Sequence, residues 1–139
     1  MRPFFMRKMF GPAPIPKKFD GFPKEMALRP SQIRASASES ALMVPDAFAT
    51  QKDYGDLKMP VVIIAGEDDR LIDIEEQSAR LHRDIVQSSL HRIPDVGHMV
   101  HQNVMAAVMA AVDEATGAAM NSEISTSERP RRLEALERN

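Results

Sequence analysis

At 139 residues and 43% apolar content, the chain falls within the size and composition of one soluble globular domain, which excludes a fibre or a repeat array. Eighteen basic against twenty acidic side chains give a formal charge of -2 and no basic stripe, so nucleic acid is not an expected partner. The absence of cysteine excludes a disulfide framework, a thiolate nucleophile and a zinc-thiolate site, and it fits a reducing compartment, so the cytoplasm is the expected location.

No segment carries a membrane or export signal. In Met1–Phe10 the apolar residues are interrupted by Arg7 and Lys8 before a signal-peptide core could form, and the start reads as an internal methionine. The longest apolar run, Met59–Ala65, is far too short to cross a bilayer, so no membrane association is expected. All six Phe and the one Tyr precede residue 55, whereas Val, Ile, Met and Ala dominate the later residues, and this shift divides the chain into two sub-regions.

Residues 1–30 hold six of the ten prolines among Phe4, Phe5, Phe10, Phe19 and Phe22, a mixture that breaks regular structure while offering large apolar surfaces. Short helices and turns are expected there. Ser31 is a candidate N-cap, and Ile33, Ala37, Ala41 and Val44 recur at helical spacing, which predicts a helix over 31–43 that Pro45 stops. Pro60 then opens the β-branched run Val61-Val62-Ile63-Ile64-Ala65, bounded by Gly66, the pattern of a strand buried on both faces in a parallel sheet. Asp73 with Glu76 forms a capping-box-like pair at the start of a helix whose inner face carries Ile74, Ser78, Leu81 and Ile85. A second strand, Ser88–Ile93, ends at Pro94, and after Gly97 a long helical pattern turns Val104, Val108, Ala111 and Val112 inward.

Strand, helix, strand, helix is a βαβα unit, and two parallel strands alone leave apolar faces and open edges that a complete domain would cover. The expected fold class is therefore α/β, but incomplete, with self-association through the uncovered sheet as one consequence. From Gly117 onward, Ser, Glu, Arg and Asn dominate, and the four acids after Asn121 balance four arginines. Residues 117–139 are expected to form a polar, disordered tail in which Leu133 and Leu136 give one fraying helical turn at most.

Two turns carry candidate chemistry. Gly66-Glu67-Asp68-Asp69-Arg70 comes after the first strand, and Pro94-Asp95-Val96-Gly97-His98 after the second, so both lie at the carboxyl edge of a parallel sheet, where ligands and catalytic groups collect. Adjacent parallel strands bring such turns side by side. An Asp on one and a His on the other can then hydrogen-bond, which fixes the imidazole tautomer and stabilises the imidazolium formed when the His takes a proton.

The Leu57-Lys58-Met59-Pro60 entry, the apolar strand, Gly66-x-x-Asp69 and Gly97-His98 at the start of the last helix resemble the C-terminal third of the α/β-hydrolase family. The resemblance implies that Asp69 and His98 are triad members, that residues 1–50 form a helical cap or lid, and that residues 51–116 form a C-terminal core fragment. It also implies ester, amide or C-C bond hydrolysis in a full-length protein, by a Ser nucleophile or, in relatives, an Asp. Neither the Gly-x-Ser-x-Gly nucleophile motif nor the preceding oxyanion loop occurs in the sequence, so the chain is expected to be inactive alone and to meet a small-molecule substrate only when an N-terminal half is supplied. No cofactor is implied.

Plainer readings stand beside each of these. An Asp in a strand-to-helix turn is often a cap or turn former, and Asp68 competes with Asp69 for the role of acid, the family spacing favouring Asp69. His98 and His101 have a metal-like spacing but no third ligand beside them, so no metal site is expected. His82 and His91 read as structural or exposed and Arg70 as a surface residue. The same incomplete core also suits a non-catalytic binding or oligomerisation module. A receiver-like acidic pocket at Glu67-Asp68-Asp69 fits locally, yet no lysine comes after Lys58 to complete it.

Overall fold

The protein is described by a computed structural model that covers residues 4–136 and, among these, the side chains of residues 4–121 other than those at 24 and 27. It is a mixed α/β chain. Helix α1 (Phe4–Phe10) is followed by a short 3-10 turn at Lys17–Phe19, α2 (Lys24–Ala27), α3 (Pro30–Thr50) and a second 3-10 segment, Gln51–Asp56. Strand β1 (Val61–Gly66) leads through a π-helical turn, Glu75–Ala79, into α4 (Arg80–Asp84), then β2 (Ser88–Ile93), α5 (Val100–Asn103) and α6 (Met105–Leu136).

The β-branched run Val61–Ala65 forms a strand because its side chains pack well on a pleated surface and Pro60 and Gly66 punctuate it. It pairs in parallel with β2 over six level partners, from Val61 with Ser88 to Gly66 with Ile93. Helices α5 and α6 and the 75–79 turn lie against β1, and α4 lies against β2. Within the linking segment, the Asp73 carboxylate accepts from the amides of Glu75 at 2.8 Å and Glu76 at 3.1 Å, so the cap reading of Asp73 describes its bonds. The expected single helix there is split, because the Ala79 amide reaches back five residues to the Ile74 carbonyl and opens the first turn.

Buried apolar residues gather in two places rather than in one mass. Met6, Phe10 and Ile15 form a cluster with Met9, Phe19 and Met99 against it, and Phe10, 1% exposed, meets Phe19 edge to face with centroids 5.0 Å apart. Met99 belongs to the segment after β2, so the N-terminal segment is packed against the turn that carries His98. The remaining buried residues, Ala79, Ile85, Val96, Val100 and Ala111, line the helices and turns around the sheet.

Several elements depart from the sequence expectation. Helix α3 does not stop at Pro45 but runs on to Thr50, capped at its start by the backbone of Arg29 with Pro30 in the first turn rather than by Ser31. A proline removes one amide donor and its ring crowds the preceding turn, a cost of about 3 kcal/mol; with no buried residue on the helix, the released carbonyl is at least open to water. Ile33 and Val44, which recur at helical spacing, are more than half exposed. Val104 leaves helical geometry between α5 and α6, and Val112, expected inward, is 50% exposed. The disordered tail expected over 117–139 is instead helical backbone as far as Leu136. Ala, Glu, Arg and Leu are strong helix formers, and Gly117 costs a helix only about 1 kcal/mol, so a composition that reads as solvated is also that of an exposed helix. The side chains of Leu133 and Leu136 lie outside the described residues.

Phe10→Ala removes the centre of the N-terminal cluster and is expected to cost about 3–5 kcal/mol, against about 0.5 kcal/mol or less for Phe48→Ala on exposed α3. Urea midpoints at constant slope measure both. Equal losses would mean that the N-terminal segment is not packed.

Candidate functional site

Because β1 and β2 end level, Gly66 opposite Ile93, the chain leaves both strands at the same edge of the sheet. The ladder extends one step into the turns, the Glu67 amide donating to the Ile93 carbonyl at 2.9 Å and the Asp68 amide to the Val96 carbonyl at 3.1 Å. Gly66 makes that closeness possible. A Cβ there would fall 2.3 Å from the Val96 carbonyl oxygen and 2.5 Å from that of Gly97, nearer than any side chain tolerates.

The second turn bends through Asp95, which has φ of 59° and is the one non-glycine residue with positive φ among those described. Asp is among the side chains that accept this left-handed conformation. Its amide donates to the Asp68 carboxylate at 3.1 Å. Val96 and Gly97 are buried behind the turn, and His98 emerges 39% exposed. Gly97 is in contact on its other side with the N-terminal segment, since a Cβ would lie 2.2 Å from the Gly11 carbonyl oxygen. The Met99 amide donates to the Met9 carbonyl at 3.3 Å, and the Asn103 side-chain amide donates to the Pro14 carbonyl at 3.2 Å. The histidine turn is thus held between β1 and residues 9–14.

Asp69 and His98 are brought together. Asp69 Oδ2 lies 2.8 Å from His98 Nδ1, and Asp69 Oδ1 accepts from the amides of Leu71 at 2.8 Å and Ile72 at 3.1 Å. The carboxylate side chain is 12% exposed. Burial raises its pKa, but the Leu71 amide, His98 and the Ile72 amide together outweigh that effect and hold the carboxyl below its ordinary value. An ionised Asp69 accepts, so Nδ1 carries the proton, and Nε2 is then the lone-pair nitrogen of the neutral ring.

The competing residues have other partners. Asp68 bonds the Asp95 amide and not His98, and Asp73 caps the 75–79 turn. His91 Nε2 and the Ser89 hydroxyl, both at 2.6 Å, take separate oxygens of Glu114, tying α6 to β2. Those two bonds hold the Glu114 carboxyl below its usual range. His82 Nδ1 lies 2.7 Å from the Ser88 hydroxyl, which itself donates to the Ile85 carbonyl at 2.7 Å, so the serine oxygen accepts a hydrogen bond from the ring rather than donating one to it. Neither Ser–His neighbour is a nucleophile–base pair. Among the described residues no group of three or more His, Cys, Asp or Glu could hold a metal ion, His101 included, and no helix is long and apolar enough to cross a membrane. A surface depression lined by Phe48, Gln51, Lys52, Tyr54, Gly55 and Asp84 contains neither Asp69 nor His98.

Sequence reasoning named Asp69 and His98, which the structure brings together, but missed the bonds of Asp68 and of the Met9–Gly11 segment around them. A Pro-Asp pair is a turn signal that could have located Asp95; the contact between Gly11 and Gly97 joins residues too distant in sequence for any local pattern. Compared with known family models, curated proteins and solved structures, the chain finds no significant match.

The lowered carboxyl of Asp69 makes a pH prediction. A group whose folded pKa lies below its unfolded value, about 3.9 for Asp, stabilises the fold above that value and loses the contribution as pH falls through the folded pKa. The melting temperature of the protein should exceed that of Asp69→Asn at pH 7, and the gap should narrow as pH is lowered past about 4. A gap that does not depend on pH would show that the charge of Asp69 contributes nothing.

Proposed function

We propose that this chain carries the acid and base of a hydrolytic triad in an incomplete α/β-hydrolase-like fold, Asp69 orienting and His98 acting as general base. The observation that supports this reading is the 2.8 Å contact between Asp69 Oδ2 and His98 Nδ1 across the carboxyl ends of two adjacent parallel strands. With Nδ1 committed to the carboxylate, Nε2 accepts the proton of an attacking hydroxyl as its oxygen bonds to a carbonyl carbon. Asp69 stabilises the imidazolium so formed, and the same proton passes to the leaving group when the tetrahedral intermediate collapses.

The nucleophile and the oxyanion donors come from outside these residues, since the sequence holds no Gly-x-Ser-x-Gly. Ser88 cannot substitute. It begins β2 while His98 lies beyond its other end, and five strand steps of about 3.3 Å already put Ser88 about 17 Å from Ile93, where the chain turns toward His98. The chain alone is therefore expected to hydrolyse no ester. Fused behind the nucleophile-bearing half of an α/β-hydrolase, it should hydrolyse p-nitrophenyl acetate, and His98→Ala should lower that rate by about 10³-fold or more. Activity in the fusion that is indifferent to His98→Ala would sink the assignment.

A second reading, a binding or oligomerisation module on the same fold, is favoured by α3, which has no buried residue and leaves Leu42, Met43, Val44 and Phe48 each more than 60% exposed. On this reading the protein sediments as a stable oligomer with a cooperative melt. A monomer that binds ANS and shows no thermal transition would remove it.

A further inference from the structure

Two adjacent aspartates stand after β1, and only one of them touches His98. Asp68 is bonded twice to the other turn, through its amide to the Val96 carbonyl at 3.1 Å and through its carboxylate to the Asp95 amide at 3.1 Å. No other residue of the first turn grips the second with both backbone and side chain among the bonds described.

The residue it holds is the one that needs holding. Asp95 has φ of 59°, a conformation that L-residues rarely adopt, and the direction in which the chain leaves Asp95 fixes where Val96, Gly97 and His98 go. Gly97 and Gly66 are packed to backbone contact on either side, so a change in the path of the turn cannot be absorbed by sliding past them. An Asp95 free to relax to negative φ would carry His98 away from the carboxylate at 2.8 Å, while Asp69, fixed separately by the Leu71 and Ile72 amides, would stay where it is.

We propose that Asp68 is the positioning residue of the Asp69–His98 pair, its carboxylate holding the left-handed Asp95 turn so that the imidazole is presented to Asp69. This rests on the acid–base reading of that pair, and it assigns the two aspartates different tasks: Asp69 bonds the imidazole, and Asp68 sets the turn that delivers it. An uncharged acceptor at 68 would serve the second task, because the bond to be made is to a backbone amide.

The test is a cycle of variants read by the ring nitrogen and N–H resonances of the four imidazoles of the full chain. In the wild-type background, Asp69→Asn is expected to displace the His98 Nδ1–H resonance, since it removes the charged acceptor 2.8 Å from Nδ1. In an Asp68→Ala background the same Asp69→Asn change should displace it far less, because the pair is no longer in register. Asp68→Asn should restore the full displacement, and the ring resonances of His82, serving as an internal reference bonded to Ser88, should stay the same throughout. If Asp68→Ala proves unfolded by circular dichroism, Asp68→Ala with Asp95→Gly is read instead: Gly adopts the left-handed φ without a partner at 68, so the full displacement should return, and a displacement that stays diminished overturns the positioning role. An undiminished displacement in a folded Asp68→Ala protein overturns the positioning role and leaves the acid–base pair standing. No displacement by Asp69→Asn in the wild-type background overturns the pair itself, and the role of Asp68 with it.

Discussion

The parallel register of β1 with β2 is the constraint on which the site depends. Six level pairs, closing at Gly66 with Ile93, release both chains at one edge, and the Glu67 and Asp68 amides carry the ladder on into the turns. A slip by one residue would move one turn past the other by about 3.3 Å and send every side chain of the strand to the opposite face. The 2.8 Å hydrogen bond between Asp69 and His98 would not survive such a shift, so this contact is a readout of register as much as of the two residues. What prevents the slip is the apolar pattern of β1 together with Gly66, the only residue type that lets the Val96 and Gly97 carbonyls come this close.

Register alone would leave the histidine turn open to solvent on its far side. The N-terminal segment closes it, with Met9 and Pro14 carbonyls accepting from Met99 and Asn103, and with Phe10 anchoring the cluster that includes Met99. Burial of a Phe side chain stabilises by about 1.5–3 kcal/mol, more than the net contribution of any one of these hydrogen bonds, so packing decides where this segment lies and the bonds fix its orientation. Helix α3 behaves differently: it is the longer helix before the sheet, yet it buries nothing and contributes no side chain to the acid–histidine site.

How much could be read from the sequence depends on how local the causes are. Strands β1 and β2 were legible to within a residue because a β-branched run, proline and glycine act within a few positions, and the pairing of Asp69 with His98 could be expected from two turns one βαβ unit apart. Pro45 misled because a proline disfavours a helix interior by about 3 kcal/mol without forbidding it, and the carbonyl it releases on this exposed helix is open to water. The polar composition after Gly117 misled for a related reason, since charge and small residues suit both a disordered chain and an exposed helix. The docking of residues 6–15 onto the His98 turn was invisible because it rests on a contact between Gly11 and Gly97, and only tertiary packing creates that.

The two adjacent aspartates show how far a local rule can discriminate. From sequence, Asp68 and Asp69 compete for one role, because both stand at the carboxyl end of the same strand. The turn closed by the Asp69 amide on the Gly66 carbonyl at 3.4 Å sends the two carboxylates to different partners. Asp69 faces its own loop, where the Leu71 and Ile72 amides and His98 saturate it with donors and keep it ionised; Asp68 faces the neighbouring turn and meets a backbone amide. A doublet of like charges, costly if both were aimed at one site, is divided between two loops by the turn after β1. The side chain with the most donors around it is the one suited to hold a proton-accepting histidine in a single tautomer.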